Sequence, residues 1–137
     1  MKTYSPSKTA VKRNWHLLDA KDQVIGRLAT QAAVFLMGKH KTDYVHHLDW
    51  GDHVVVINAA SARVTGNKET QKVYTRHTGF PGGLRQITLE KLRIKKPEFI
   101  IEHAVSGMLP KNKLRDEMLK RLHVFVGDTH KYGQHFK

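Results

Sequence analysis

Four histidines (His40, His46, His47 and His53) and three aspartates (Asp43, Asp49 and Asp52) crowd into or beside one short polar connector. These residue types ligate divalent metals and activate bound water. A metal-dependent nuclease built on Asp49, Asp52 and His53 is one chemistry such a stretch could support. Its spacing argues otherwise. There is no HExxH pattern, and the adjacent His46 and His47 would point apart in an extended chain rather than toward a common ion. The 137 residues include no cysteine, which removes thiol catalysis, disulfides, zinc knuckles and iron–sulfur ligation. Ser5, Ser7, Ser61 and Ser106 lack a Gly-x-Ser-x-Gly elbow. The turn Val24-Ile25-Gly26-Arg27-Leu28 has one glycine where a dinucleotide fingerprint needs three. The loop Gly79-Phe80-Pro81-Gly82-Gly83 lacks the Lys-Ser/Thr of a phosphate-binding P-loop. No catalytic residue, metal or cofactor is expected.

Charge is the stronger signal. Lys and Arg number 24 against 12 Asp and Glu, a net charge of +12. Self-repulsion of that size in a folded domain points to a polyanionic partner. Nucleic acid is favoured, because every neutralised phosphate releases counterions. A membrane surface would call for a basic helix with a bulky apolar face, which no segment provides. The cations fall in clusters: Lys8, Lys12 and Arg13; Lys39 and Lys41; Lys68, Lys72 and Arg76; Lys91, Arg93, Lys95 and Lys96; Lys111, Lys113 and Arg115; Lys120 and Arg121. Some alternate with Trp15, Tyr44, Trp50, Tyr74 and Phe80, which could stack on bases, although most aromatics serve cores. The spread, with no zinc finger, basic zipper or aromatic RNP motif, suggests recognition of RNA backbone and shape. Beside Arg76, His77 and Arg85, the glycines of the 79–83 loop would let main chain approach phosphates closely.

The elements that must hold these side chains can be read from periodicity. Trp15 to Ala20 reads as a strand, followed by a turn at Lys21-Asp22-Gln23. Arg27 to Met37 reads as a helix, apolar nearly all round and closed by Gly38. The β-branched run from His53 to Asn58 suggests a strand buried on both faces, completing a βαβ unit. Val73 to His77 is extended. Thr88 can cap a helix from Leu89 to Lys95, and Pro97 opens a second to about Val105, with Ile100, Ile101, Ala104 and Val105 as its buried stripe. Leu114, Met118 and Leu122 share a face of a third short helix. Val124 to Val126 reads as a last strand, and the tail to Lys137 as polar and loose. The expectation is a layered α/β domain with a mostly parallel sheet. An extended basic arm is expected over residues 1–13, one domain over 14–127 and a tail over 128–137. There is no apolar leader and no run of 18 apolar residues, so a cytoplasmic protein is expected.

Val105-Ser106-Gly107-Met108-Leu109-Pro110-Lys111-Asn112-Lys113-Leu114, continuing to Leu122-His123-Val124-Phe125-Val126-Gly127, resembles the signature of large-subunit ribosomal protein number thirteen, bacterial type. Gly26-Arg27-Leu28-Ala29-Thr30, Gly38-Lys39-His40-Lys41, Val64-Thr65-Gly66-Asn67-Lys68, Lys72-Val73-Tyr74 and His77-Thr78-Gly79 resemble further blocks of that family in its order. The resemblance covers roughly residues 12 to 128 and departs from the family at Phe80-Pro81 and in the tail. It implies a three-layer α/β/α sandwich around a short, mostly parallel sheet. It also implies a structural constituent of the large subunit that joins early in assembly. The implied partners are large-subunit ribosomal RNA and neighbouring ribosomal proteins. Carried onto this chain, the RNA-binding set is Lys12, Arg13, Arg27, Lys39, His40, Lys41, Lys68, Lys72, Arg76, His77, Gly79, Gly82, Gly83, Arg85, Lys111 and Lys113. Gly107 and Pro110 are expected to fix the turn that aims Lys111 and Lys113. The rival readings are the nuclease above and a free regulator acting on messenger RNA.

Overall fold

Val54, Val55 and Val56 are fully buried. A strand apolar on both faces must be covered on both, which suits the centre of a parallel sheet. In the computed structural model, which describes residues 6, 7 and 11–136, strand β2 (His53–Ile57) lies between β1 (Trp15–Asp19) and β5 (Leu122–Val124). All three strands run parallel. The register sets Trp15 against His53, and Leu17 and His123 against Val55. One sheet face therefore carries Trp15, Leu17, His53, Val55 and His123, and the other carries His16, Leu18, Val54 and Val56. Most of the expected N-terminal arm, including Lys8, lies outside the described residues.

The second of these faces packs on helices. Helix α1 (Ile25–Met37) begins two residues before its expected start and buries Ile25, Leu28, Ala29, Ala32, Ala33, Leu36 and Met37. It lies against α4 (Pro97–Met108), which buries Pro97, Ile100, Ile101 and Val105 and runs three residues past its expected end. Each fully buried Val, Leu or Ile in this core contributes about 2 kcal/mol. Gly38 closes α1 in the left-handed conformation, as expected. Thr88 stands at the N-cap of α3 (Leu89–Lys95), but its hydroxyl makes no capping hydrogen bond. Leu122 belongs to β5 rather than to the face of α5 (Arg115–Lys120), because the chain leaves the helix at Arg121. Two of the elements that escaped the sequence reading bear on the basic surface. One is the short helix α2 (Lys68–Gln71); the other is β4 (Leu84–Thr88), which pairs antiparallel with β3 (Val73–His77) in a hairpin separate from the main sheet. Among the described residues no helix is long and apolar enough to cross a membrane.

The connector between α1 and β2 docks on the helix end. The Asp52 N–H donates to the Phe35 carbonyl at 3.0 Å. A Cβ on Gly51 would stand 1.8 Å from the Leu36 carbonyl oxygen and 2.6 Å from Arg121 Nη2, so only glycine fits.

The sheet face bearing Trp15 is closed by the C-terminal tail, which is folded rather than loose. A 3-10 turn at Gly133–Phe136 stacks His135 on the Trp15 indole, with ring centres 4.1 Å apart and planes within 6°. His53 stacks on the same indole at 4.2 Å. Tyr132 lies 5.0 Å from it and brings its hydroxyl within 3.3 Å of His123 Nδ1. These are edge and face contacts between aromatics, which the polar composition of the tail conceals. Burial, with a smaller push from Lys131, lowers the pKa of His123. The folded tail therefore favours the neutral ring. Its contribution is complete above the ordinary imidazole value of about 6.5 and is lost as pH falls through that value toward the depressed one.

Two outcomes are expected. Gly51→Ala should lower unfolding stability by about 3 kcal/mol, read from the urea midpoint, since overpacking against backbone cannot relax by a rotamer change. Acidification below about pH 6.5 should move the ring-current-shifted His135 proton signals toward free values, and a His123→Phe variant should flatten that response.

Candidate nucleic-acid interface

The β3–β4 register places Arg76 directly opposite Arg85, and Tyr74 opposite Ile87. Like charges facing each other across a hairpin destabilise it unless an anion lies between them. Both arginines line a groove of about 330 Å³ between the hairpin and helices α3 and α4, together with Lys96, His103, Phe99 and Tyr74. No acidic residue lines it. Lys96 was visible in the sequence only as one member of a basic run, and its place beside Arg76 and Arg85 depends on the packing of α3 and α4 against the hairpin. At the hairpin tip, Thr78 N–H donates to the Gly83 carbonyl at 3.1 Å and Gly83 N–H to the Phe80 carbonyl at 2.9 Å. Gly79 and Gly82 have positive φ of 86° and 70°. His77 Nδ1 accepts from the Gly79 N–H at 2.9 Å, and Phe80 stands 74% exposed.

A second cationic cleft, of about 260 Å³, opens where α1 begins. Arg63, Lys68 and Lys72 line it with Gly26, Thr65 and Tyr74. Two backbone bonds build its rim: Arg63 N–H to the Gln23 carbonyl at 2.8 Å, and Ile25 N–H to the Arg63 carbonyl at 3.0 Å. Lys72 Nζ lies 5.1 Å from the centre of the Tyr74 ring, within reach of a cation–π contact. Arg63 was missing from the expected set, since an isolated arginine between Ala62 and Val64 gives no sequence signal.

The remaining expected residues are more scattered. Lys12, Arg27 and Lys39 are exposed. Arg13 is exposed and lies 3.5 Å from Asp49. Lys111 and Lys113 are exposed on a tight turn. There Asn112 N–H donates to the Pro110 carbonyl at 3.0 Å and the Asn112 side chain accepts from Leu114 N–H at 3.1 Å. Asn112, with buried Leu109 as anchor, shapes this turn. Gly107 lies inside α4 and does not.

Several basic residues are spent inside the fold. Lys41 Nζ donates to the Asp52 carboxylate, to the Trp50 carbonyl at 2.9 Å and to the Lys12 carbonyl at 2.7 Å, so all three of its protons are engaged. Expected to face RNA, Lys41 is instead an internal tie. His40 Nε2 lies 2.9 Å from the same carboxylate. Arg121 makes a two-pronged pair with Asp49, at 2.6 Å on both arms. Arg93 grips Glu69 at 2.8 and 3.0 Å and also donates to the carbonyls of Ala60 and Ala62. Arg115 donates to Ser106 Oγ at 2.5 Å.

Asp52 is fully buried. Burial pushes its pKa up, but hydrogen bonds from Lys41, His16 and the Asn14 N–H outweigh it and hold the carboxyl below the ordinary range. A carboxylate locked by Lys41, and a second locked by Arg121, are structural partners of cations. The nuclease arrangement of Asp49, Asp52 and His53 does not form, because His53 Nδ1 is buried without a hydrogen-bond partner and its ring stacks on Trp15.

The family model described as Ribosomal protein L13 matches residues 13–131. The protein named large ribosomal subunit protein uL13 from Streptomyces griseus is 52% identical over 133 residues, covering 97% of this chain and 90% of its own length. Its namesake from Methylococcus capsulatus is 50% identical over 132 residues, covering 96% and 93%. The one from Thermoanaerobacter pseudethanolicus is 52% identical over 132 residues, covering 96% and 92%.

Asp49→Ala should leave buried Arg121 unpaired and cost about 3 kcal/mol of stability, measured by urea denaturation. A hydrolytic role for Asp49 would show instead as RNA cleavage that the substitution abolishes while stability stays at the wild-type level.

Proposed function

The chain belongs to the ribosomal protein L13 family, and on that premise we propose that it is a structural constituent of the large ribosomal subunit, resident in the ribosome, that binds ribosomal RNA and catalyses nothing. The observation that carries the RNA-binding reading is the facing pair Arg76 and Arg85, joined by Lys96 in a groove without acidic residues. A phosphate between the two guanidinium groups would turn a repulsive cross-strand pair into an attractive one, with planar forks suited to its oxygens. Tyr74 and Phe99 form an apolar side to the same groove, and exposed Phe80 at the tip offers a stacking surface.

The cleft bearing Arg63, Lys68 and Lys72, the turn bearing Lys111 and Lys113, and the exposed Lys12, Arg13, Arg27 and Lys39 extend the interface over several sides of the domain. Gly79, Gly82 and Gly83 allow the hairpin tip to lie close to an RNA strand, with His77 holding the tip's shape. His40 and Lys41 serve this interface indirectly, by securing the connector next to Lys39. Contacts distributed in this way suit a protein that helps RNA segments pack together, because fixed cations lower the repulsion where phosphates converge. Neighbouring ribosomal proteins and a contribution to early subunit assembly belong to the same reading.

The test combines Arg76→Ala, Arg85→Ala and Lys96→Ala in one variant and Lys111→Ala with Lys113→Ala in another. Both should keep the wild-type circular dichroism. Each lost phosphate contact should reduce the slope of log affinity against log salt for large-subunit RNA by about one. In sucrose gradients both variants should shift from the large-subunit peak toward the top. An unchanged salt slope with full incorporation would overturn the assignment of these residues.

A further inference from the structure

The Asp52 carboxylate divides its two oxygens between different tasks. Oδ1 is held by Lys41 Nζ and by the Asn14 N–H at 3.1 Å. Oδ2 instead meets two imidazole nitrogens, His16 Nε2 and His40 Nε2, each at 2.9 Å. The potential donor atoms of His16, His40 and Asp52 all lie within 4.8 Å of one another. They come from three parts of the chain that the fold brings together: β1, the loop after α1, and the residue preceding β2. The imidazoles are also held in place. His16 stacks on Phe35 at 4.1 Å and 11°, and His40 meets the same ring edge-on at 5.2 Å.

We propose that His16 Nε2, His40 Nε2 and Asp52 Oδ2 form a binding site for a zinc-class divalent cation. Two imidazoles and one carboxylate oxygen are the ligand types that zinc, cobalt(II) and nickel prefer over magnesium or calcium. A tetrahedral ion with ligands at about 2.1 Å sets them about 3.4 Å apart. The present 2.9 Å separations from Oδ2 therefore need to open by about half an ångström, and the two imidazole nitrogens lie within 4.8 Å of each other. The ion takes the place of the His16–Asp52 hydrogen bond at Oδ2, while Lys41 and the Asn14 N–H keep Oδ1 fixed as outer partners that orient the carboxylate. Both histidine side chains are about a quarter exposed, so a water can complete the coordination and the ion has a path of entry. Lys41 places one positive charge beside the site and limits its affinity. The bound ion would join β1 to the connector at the point where Asp52 already ties them.

The experiment titrates the purified full-length protein with Zn2+ by calorimetry and with Co2+ by visible absorption. One equivalent should bind, with the intense cobalt bands of a four-coordinate site, and the melting temperature should rise. In the unsubstituted protein, zinc should shift the imidazole NMR signals of His16 and His40 and leave those of His46 and His47 in place. His16→Gln and His40→Gln should each weaken binding at least about tenfold, whereas His46→Gln with His47→Gln should not. Mg2+ should produce none of these effects. Absence of one-to-one zinc binding would overturn the proposal, as would binding whose NMR shifts fall on other histidines. The NMR readout decides the matter even if a substituted chain fails to fold.

Discussion

A negative charge taken wholly out of water must be met by positive charge and hydrogen bonds, and Asp52 sets that demand at the centre of this protein. Its carboxylate, preceding the central strand β2, draws in Lys41 and His40 from the loop after α1, His16 from β1 and the Asn14 main chain. These contacts convert a polar connector into a fixed strap. The neighbouring pair of Asp49 and Arg121 fastens the same strap to the chain just before β5, and Gly51 between them lets it seat on the last carbonyls of α1. All three strands of the parallel sheet are thereby tied at one end by buried charge.

That demand also sorts the cations. A chain with 24 Lys and Arg has more positive charge than its 12 acids can match, but the surplus is not spread uniformly. Lys41, Arg93, Arg115 and Arg121 point inward to carboxylates, carbonyls or a hydroxyl, and each holds one segment against another. The outward-facing cations among the described residues include those of the hairpin groove, the cleft at the start of α1, the Lys111–Lys113 turn and Lys12, Arg27 and Lys39. The internal ties make the domain rigid, and rigidity gives the outward charges fixed separations. Fixed separations let a domain bind a folded RNA by shape, because less ordering entropy is then lost on contact.

The sheet's two faces are covered by different means. The face of Val54 and Val56 rests on α1 and α4 in an aliphatic core, while the face of Val55 is closed by aromatic stacking of the tail on Trp15. The aromatic layer includes His123, whose neutral form is favoured by burial, so protonation of that ring opposes closure of this side.

Much of this was legible in the residues themselves. The triple valine of β2, the all-round apolar α1 with Gly38 behind it and Pro97 at the head of α4 each carry a local pattern that one element satisfies. The net charge and the blocks resembling the L13 family likewise follow from chain order alone. Other features have no local signal. Strand β4 alternates weakly and exists because β3 supplies its hydrogen-bond partners. The tail is polar in composition but folded because Trp15 offers its rings a surface. Whether a lysine faces solvent or a carboxylate is also undetermined by sequence: Lys39 and Lys41 are two positions apart, yet one is exposed and the other half-buried against Asp52. Periodicity, capping and composition act between neighbours in the chain, so the sequence determined the class of the domain and the sign of its partner. Pairing, stacking and ion pairing act between segments tens of residues apart, so tertiary structure alone decided which charges were left to meet that partner.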